Sequence, residues 1–389
     1  MSFVPLSINW SAVGAGVLVT LYALPSSRAA SLWWTAAAVV YATVTSPFIL
    51  AATYVSPAHV STVVVAIAAS FAALLLSSFV PRRRVASSRS KCVVVSGCDS
   101  GFGADVSAKL AAEGFTVFAG CLTKEGIARC SATAGIVAIE LDVTNEQAVN
   151  ALVRRVSEWL DADTSRALHA VVNNAGIGLS SVVDWMPLES YKKTMDVNFF
   201  GHVCVTKAFL PRLYSAGVTA RRSGTAPPRV VNITSIAGIL GAPGLSAYCA
   251  SKYALEAFSD ALRRESSVFG LSVAIIEPSF LKTPILDDAE KRVRETFDAL
   301  PADTRARWGE PYAASSAKYA ARIKAKAESS SLGTAAIFAA VADFSPRARY
   351  RAGTEGVYLL PYIAALPAFV ADAILAAAGP RQVPALARS

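Results

Sequence analysis

Tyr248 and Lys252 stand four residues apart in Tyr248-Cys-Ala-Ser-Lys252, at the head of a helical stretch running through Ala254-Leu-Glu-Ala-Phe258 to Arg264. Positions at that spacing share a helix face, so a phenol and an ammonium can enter one site. An adjacent cation favours phenolate and draws the tyrosine pKa down from its reference of about 10, toward the range of a general base. The same spacing occurs on solvated helices, so the companions decide. Ser235 ends the run Val230-Val-Asn-Ile-Thr-Ser235, thirteen residues before Tyr248, and its hydroxyl could hold a substrate oxygen against the phenol. Asn198, in Asp196-Val-Asn-Phe-Phe-Gly201, could hold a water linking Lys252 to solvent, or could cap or kink a helix. His59, His169 and His202 are scattered, and the six cysteines have neither metal spacing nor a small secreted framework. No metal site is expected, and the thiols read as reduced.

Such a constellation needs a scaffold, and the preceding chain supplies one. Cys92-Val-Val-Val-Ser96 reads as a strand, Gly97-Cys-Asp-Ser100-Gly101-Phe102-Gly103 as a turn, and the residues from Ala104 to Glu113 as a helix. Glycines let backbone approach a pyrophosphate without an intervening Cβ, and the free N–H groups at a helix start stabilise its charge. Further strands are expected over 115–120, 136–141 and 170–172, with a helix over 146–159. The alternation implies an α/β fold, a Rossmann-type doubly wound parallel sheet. Gly97, Ser100, Gly101, Phe102 and Gly103 are candidates for the dinucleotide, as are Asp142 and Val143 after the third strand and Asn174, Ala175 and Gly176 after the fourth. Asp142 could accept a hydrogen bond from an adenine amino group or cap the helix after Thr144. Lys252 could also donate to the nicotinamide ribose. The acid that normally grips the ribose about 20 residues past the glycines is missing from Gly120-Cys-Leu-Thr123, and so is an arginine. With no cation at Ser100 or Leu122 for a 2′-phosphate, NAD is favoured. NADP is not excluded, because Lys124 could reverse the preference.

Gly97-x3-Gly101-x-Gly103, Asn173-Asn-Ala-Gly176, Asn198, Ser235, Tyr248-x3-Lys252 and Glu277-Pro-Ser together closely resemble the short-chain dehydrogenase/reductases over about 91–283. Gly97-Cys-Asp-Ser-Gly-Phe-Gly, Val197-Asn-Phe-Phe-Gly and Phe258-Ser-Asp-Ala-Leu-Arg-Arg-Glu265 resemble the branch of retinol, hydroxysteroid and 3-hydroxybutyrate dehydrogenases. Length and apolar start look most like the type 2 17β- and 11β-hydroxysteroid kinds. The resemblance implies Tyr248 as catalytic acid/base, Lys252 as its electrostatic partner, Ser235 as ligand of the substrate oxygen and Asn198 as relay. It also implies that Pro278 and Thr283 border the nicotinamide, and that a homodimer pairs through helices including 248–264. Ser279 stands where the family has glycine, and Ser96 where it has threonine. The basic stretch 216–229 reads as an exposed loop.

Among 389 residues, 53% of them apolar, residues 1–80 carry one charged side chain, Arg28, while the remainder carries 36 basic and 28 acidic ones. Apolar runs over 10–24, 32–55 and 60–80 suit two or three transmembrane helices, since roughly 20 apolar residues cross a bilayer. Arg82, Arg83, Arg84, Arg89 and Lys91 account for much of the net charge of +9 as a membrane flank, and nucleic acid is not an expected partner. The expected order is a transmembrane helical anchor (1–80), a basic linker (81–91), a dinucleotide-binding catalytic core (92–283), a helical substrate-covering segment (284–345) and an apolar C-terminal segment (346–389). Phe280, Leu281, Ile285, Leu286, Phe297, Trp308 and Tyr312 either line a pocket or pack on the sheet. The stretch 357–378, broken by Pro361 and Pro367, reads as lying on a membrane surface or over the substrate lobe. The resulting expectation is a membrane-bound oxidoreductase moving hydride between NAD and a lipophilic alcohol or ketone, mostly oxidatively. Its catalytic domain would face the cytosol at the endoplasmic reticulum, with the mitochondrial inner membrane as alternative. 3-Hydroxybutyrate, with Lys282 as its cation, and a non-catalytic nucleotide-binding scaffold are the competing readings.

Overall fold

The computed structural model describes residues 83–86, 88–380 and 382–388, so the expected spans over 10–24, 32–55 and 60–80 lie outside the described residues. Among the described residues no helix is long and apolar enough to cross a membrane.

Seven strands form one sheet in the order β3-β2-β1-β4-β5-β6-β7, every pair parallel. They are β1 (Lys91–Ser96), β2 (Thr116–Cys121), β3 (Ile136–Glu140), β4 (Ala167–Asn173), β5 (Arg229–Ile233), β6 (Ser272–Pro278) and β7 (Arg349–Ala352). The valine-rich β1 suits a position covered on both faces. Val93 and Val95 join one core with Val106, Leu110, Ile337 and Val341, while Cys92 and Val94 join another with Leu152, Val156, Phe209 and Leu262. That alternation is the period of two of a strand sending side chains to opposite faces. Helix α1 (Gly101–Ala112) follows β1, α2 (Lys124–Ser131) follows β2, and α3 (Glu146–Asp161) follows β3. The chain then steps across β1 to β4, which opens a crevice at the carboxyl ends of those strands, where such sheets bind ligands.

Beyond β4 come α4 (Leu188–Met195), a π-helical turn (Asp196–Phe200), α5 (Gly201–Ser223) and, after β5, α6 (Ser246–Ser266). The loop expected over 216–229 is therefore helix as far as Ser223. Gly224, at φ 64°, ends it, and Arg221 is bound to the carbonyls of Ser267 and Val268 rather than free. After β6, α7 (Ala289–Asp298), α8 (Ala302–Trp308) and α9 (Glu310–Lys326) form a lobe with its own small core. Helix α10 (Ser331–Ala342) returns to the sheet, and β7, α11 (Thr354–Tyr358), α12 (Leu360–Ala364) and α13 (Ala368–Ala378) complete the order.

The basic linker is docked rather than free. Arg83 lies over the Phe344 ring at 4.5 Å and Arg84 over Phe338 at 5.4 Å. Arg89 donates to Phe115 O and Lys91 to Ala86 O. Cations stacked on rings are partly spent there. Arg229, fully buried, donates to the carbonyls of Ala340, Val341, Asp343 and Pro227. It thereby caps the C-terminus of α10 and fastens that helix to β5, because last-turn carbonyls have no partner within their own helix. Arg229→Met should leave those buried carbonyls unsatisfied and lower stability by about 3 kcal/mol or more. The denaturant midpoint measures this, and an unchanged midpoint would contradict the role.

Candidate active site

The turn after β1 is shaped by what its glycines permit. Gly97 and Gly101 hold φ of +70° and +54°, and a Cβ at Gly103 would lie 2.2 Å from Gly97 O. Asn174 locks the turn from β4, its Nδ2 donating to Ser96 O and Gly97 O, each at 3.0 Å. The Ser96 hydroxyl accepts from the amides of Asn174 and Ala175, so serine does here what its hydroxyl allows. Ser100 precedes α1 without a side-chain cap, leaving the helix's first amides unspent on side chains. Thr283 and Pro284 stand across from Gly101, within 4.0 Å and 3.4 Å of where its Cβ would be. Uncapped amides, tight glycines and this facing wall fit a dinucleotide's pyrophosphate. Phe102 and Val143 point elsewhere. The Phe102 ring sits against Gly333 of α10, and the buried Val143 side chain fits against Gly201. Any contact they make with a cofactor falls to their backbone. Asp142 is exposed and accepts from Thr144 N and Thr144 Oγ1, whereas the helix cap is Asn145. The capping reading for Asp142 is thus corrected by one turn of chain.

Sequence reasoning missed Asp99, inside the glycine turn. Its carboxylate accepts from Leu122 N (2.8 Å), Thr123 N (2.8 Å) and Thr123 Oγ1 (2.7 Å). It therefore stands at the stretch after β2 where this fold keeps its ribose-binding acid. Burial opposes its charge, but those hydrogen bonds outweigh it and hold the carboxyl below the usual range. The signal was an acidic residue within the turn itself. Arg129 of α2 binds the same turn through Cys98 O and Asp99 O, and Lys124 is exposed at the start of α2.

At the other end of the crevice, α6 places Tyr248 and Lys252 on its inner face. Lys252 is 4% exposed, its Nζ 2.8 Å from Ile233 O and 5.7 Å from the Tyr248 ring centroid. Gly176 adjoins both Asn198 and Lys252, a Cβ there falling 3.4 Å from Asn198 Oδ1 and 3.9 Å from Lys252 Nζ. Ser235, 9% exposed, donates to Pro278 O over 3.3 Å, and its hydroxyl bears on the Tyr248 phenol. Asn198 lies in the π-helical turn, where its amide bonds both backbone groups of Ile177 and the Ser251 hydroxyl. Helix distortion and loop anchoring are thus what this side chain does within the fold. Burial pushes Tyr248 up to about 12 and Lys252 down to about 8. The expected lowering of the phenol is not what the chain alone shows, because loss of water from the phenolate outweighs the Ser235 hydrogen bond that favours it. Burial, and then the charge of Lys252, also hold His202 neutral, down at about 3.

The substrate side divides the candidate pocket residues. Phe297, Trp308 and Tyr312 pack around the buried Trp185, with ring centroids 5.2, 5.6 and 6.0 Å from it, and so belong to the lobe's core. Ile285 reaches across to Gly178 on the far wall, within 2.5 Å of where a Cβ would sit. Ser279 fits against Gly353 and Gly356, whose missing side chains make room for it. Lys282 is exposed and lines a depression with Asp288, Glu290, Lys291 and Lys324, none of the Tyr248 group being among its lining.

Comparison with known proteins agrees with this geometry. A family model described as short chain dehydrogenase matches residues 91–294. Short-chain dehydrogenase/reductase family 9C member 7 of Mus musculus is 36% identical over 75% of this chain and 90% of its own length. Human retinol dehydrogenase 5 is 34% identical over 73% and 87%, and human retinol dehydrogenase 16 is 34% identical over 80% and 96%. A solved short-chain dehydrogenase from Streptomyces avermitilis superposes with a TM-score of 0.55 at 25% identity, covering 69% of this chain and 90% of that one. The parallel sheet, the glycine turn and the Tyr248 group thus meet a family match over more than half the chain. The chain belongs to the short-chain dehydrogenases, in the branch that holds the retinol dehydrogenases, and is an enzyme acting on CH–OH groups.

Proposed function

We propose that the protein is a membrane-associated dehydrogenase that uses NAD to oxidise a lipophilic alcohol of retinol-like or steroid-like character. The observation that carries the chemistry is the convergence of Tyr248, Lys252 and Ser235 at the end of the crevice opposite Asp99. Relatives named as retinol dehydrogenases support the substrate class. A solved relative from Burkholderia phymatum carries NAD and one from Burkholderia cenocepacia NADP. The Asp99 carboxylate supports NAD here, since it would repel a 2′-phosphate while accepting from ribose hydroxyls.

In this mechanism Ser235 donates to the substrate oxygen, and the Tyr248 phenolate takes its proton as the C–H bond breaks. The bound nicotinamide supplies the hydride acceptor. Lys252 stabilises the phenolate through their mutual attraction in a site of low dielectric. Asn198, which adjoins Lys252 through Gly176 and anchors the Ile177 backbone, would hold a water through which that proton leaves Lys252 for solvent. In this mechanism the partly buried Tyr248 and the buried Lys252 would titrate as a pair. Loss of one proton leaves neutral tyrosine and lysine together with their reactive phenolate–ammonium tautomer.

Membrane association is supported by the C-terminal segment. Tyr358, Leu359, Tyr362, Leu366 and Phe369 on and around α11–α13 are exposed, Phe369 by 77%. Aromatic and aliphatic side chains at this density suit an interfacial segment beside the bilayer. The docked arginines of the linker make that cluster a weaker candidate for lipid binding.

Oxidation of retinol or a hydroxysteroid, followed as reduced nicotinamide absorbance, should rise with pH through about 8 and then level. Tyr248→Phe should lower it by about 10²-fold or more while NAD still binds, and full activity in that variant would overturn the mechanism. Asp99→Ser should raise the NADP/NAD ratio of kcat/KM by about tenfold, and an unchanged ratio would remove Asp99 from cofactor choice. Tyr362→Glu with Phe369→Glu should weaken binding of the chain to phosphatidylcholine vesicles relative to wild type, and equal binding would count against the C-terminal segment.

A further inference from the structure

Tyr248, Lys252, Glu256 and Asp260 recur every four residues along α6, so four titratable side chains run down one helix face. The last two have no part in the chemistry above. Glu256 is 6% exposed, an uncommon place for a carboxylate. Its Oε2 receives Arg349 of β7 at 3.0 Å, and the same guanidinium reaches Asp260 at 3.2 Å and the fully buried Glu277 at 2.9 Å. Arg351 closes the cluster on Glu277 at 2.8 Å. Oε1 of Glu256 is buried beside the Thr234 hydroxyl, which itself donates to Ile276 O. A Cβ at Gly238 would meet Glu256 Cγ at 2.9 Å and Lys252 O at 3.0 Å. The turn that follows Ser235 therefore lies directly on both residues.

We propose that Glu256 is a positioning residue, the buried counter-charge one helical turn below Lys252 that keeps the lysine protonated and so keeps the reactive phenolate–ammonium form of the Tyr248–Lys252 pair populated. The inference rests on the reading of Tyr248 as general base and adds to it the source of the lysine's charge. The charged and titratable groups facing these two residues are Tyr248 and Asp260 on α6, Arg349 and Arg351 on β7, Glu277 on β6 and His202 on α5. His202 is neutral, and the cations lie on the Glu256 side. Glu256 is the side chain whose charge offsets the burial that pulls Lys252 down. Arg349 supports Glu256 as an anion against its own burial, which raises its carboxyl.

The sign gives a signature that mere damage to the fold would not produce. Without the Glu256 charge, Lys252 loses its proton at lower pH. The alcohol-oxidation profile then levels earlier and at a lower plateau, while the rates at the acid end, where the lysine is protonated in either case, converge with wild type. The test is Glu256→Gln, read by carbon-13 NMR of ε-labelled lysine in the unliganded protein, with the Lys252 signal identified by its loss in Lys252→Met. The Lys252 midpoint should fall by about one pH unit, and the oxidation plateau by about tenfold. Should Glu256→Gln fail to fold, Glu256→Met removes the charge without burying an amide and should give the same shift. Asp260→Asn, which loosens the same cluster one turn farther away, should lower the thermal midpoint but leave the Lys252 midpoint in place. A Lys252 midpoint unchanged in the Glu256 variants overturns the inference. Oxidation retained in Tyr248→Phe would instead remove the general-base reading, with the lysine shift still standing on its own.

Discussion

The energetic tension in this structure is the withdrawal of water from a partly buried phenol and a buried ammonium side by side. Water is withdrawn from both, which drives tyrosine up to about 12 and lysine down to about 8. Each charged form is costly alone, and each is favoured by the other. In the mechanism proposed above, a base built this way idles in its neutral form and becomes reactive through an internal proton transfer rather than by standing ionised in solvent. On the proposal, the surrounding architecture tilts that transfer, with Ser235 at the phenol, Ile233 O at the ammonium and Glu256 one helical turn behind it.

Holding such a pair requires a scaffold that does not move, and the sheet supplies it through contacts without slack. Asn174 fastens the fourth strand's loop to the glycine turn, and Gly103 lies where even a methyl group would strike Gly97 O. Arg229 binds α10 to β5 beneath the sheet. Both ends of the crevice are set by these fastenings. At one end Asp99 meets the backbone of Leu122 and Thr123, and at the other Tyr248 meets Ser235.

The strands that were legible in the sequence are those whose apolar runs sit between glycine or polar breaks, because burial on both faces leaves a composition that reads as strand. β7 was not legible. Its Arg349-Tyr-Arg-Ala352 puts arginines among the anions of Glu256, Asp260 and Glu277, so tertiary ion pairing rather than local pattern makes it a strand. The helix through Ser223 was hidden by Arg221, Arg222 and the prolines after them. Asp99 is not legible as a candidate ribose ligand because that acid normally lies about 20 residues past the glycines, whereas here hydrogen bonds to Leu122 N and Thr123 N bring a residue of the turn itself to that place. The Tyr248 group was legible because its spacing encodes a helix face. Its titration was not, since burial is a property of the fold and not of the motif.

The most direct measurement is carbon-13 NMR of Cζ-labelled tyrosine in the unliganded chain, following the Tyr248 signal with pH. Burial against the ammonium, as described, predicts that this phenol stays protonated past the tyrosine reference of about 10 and ionises near about 12. A Tyr248 phenolate already formed at or below the reference value would contradict the account.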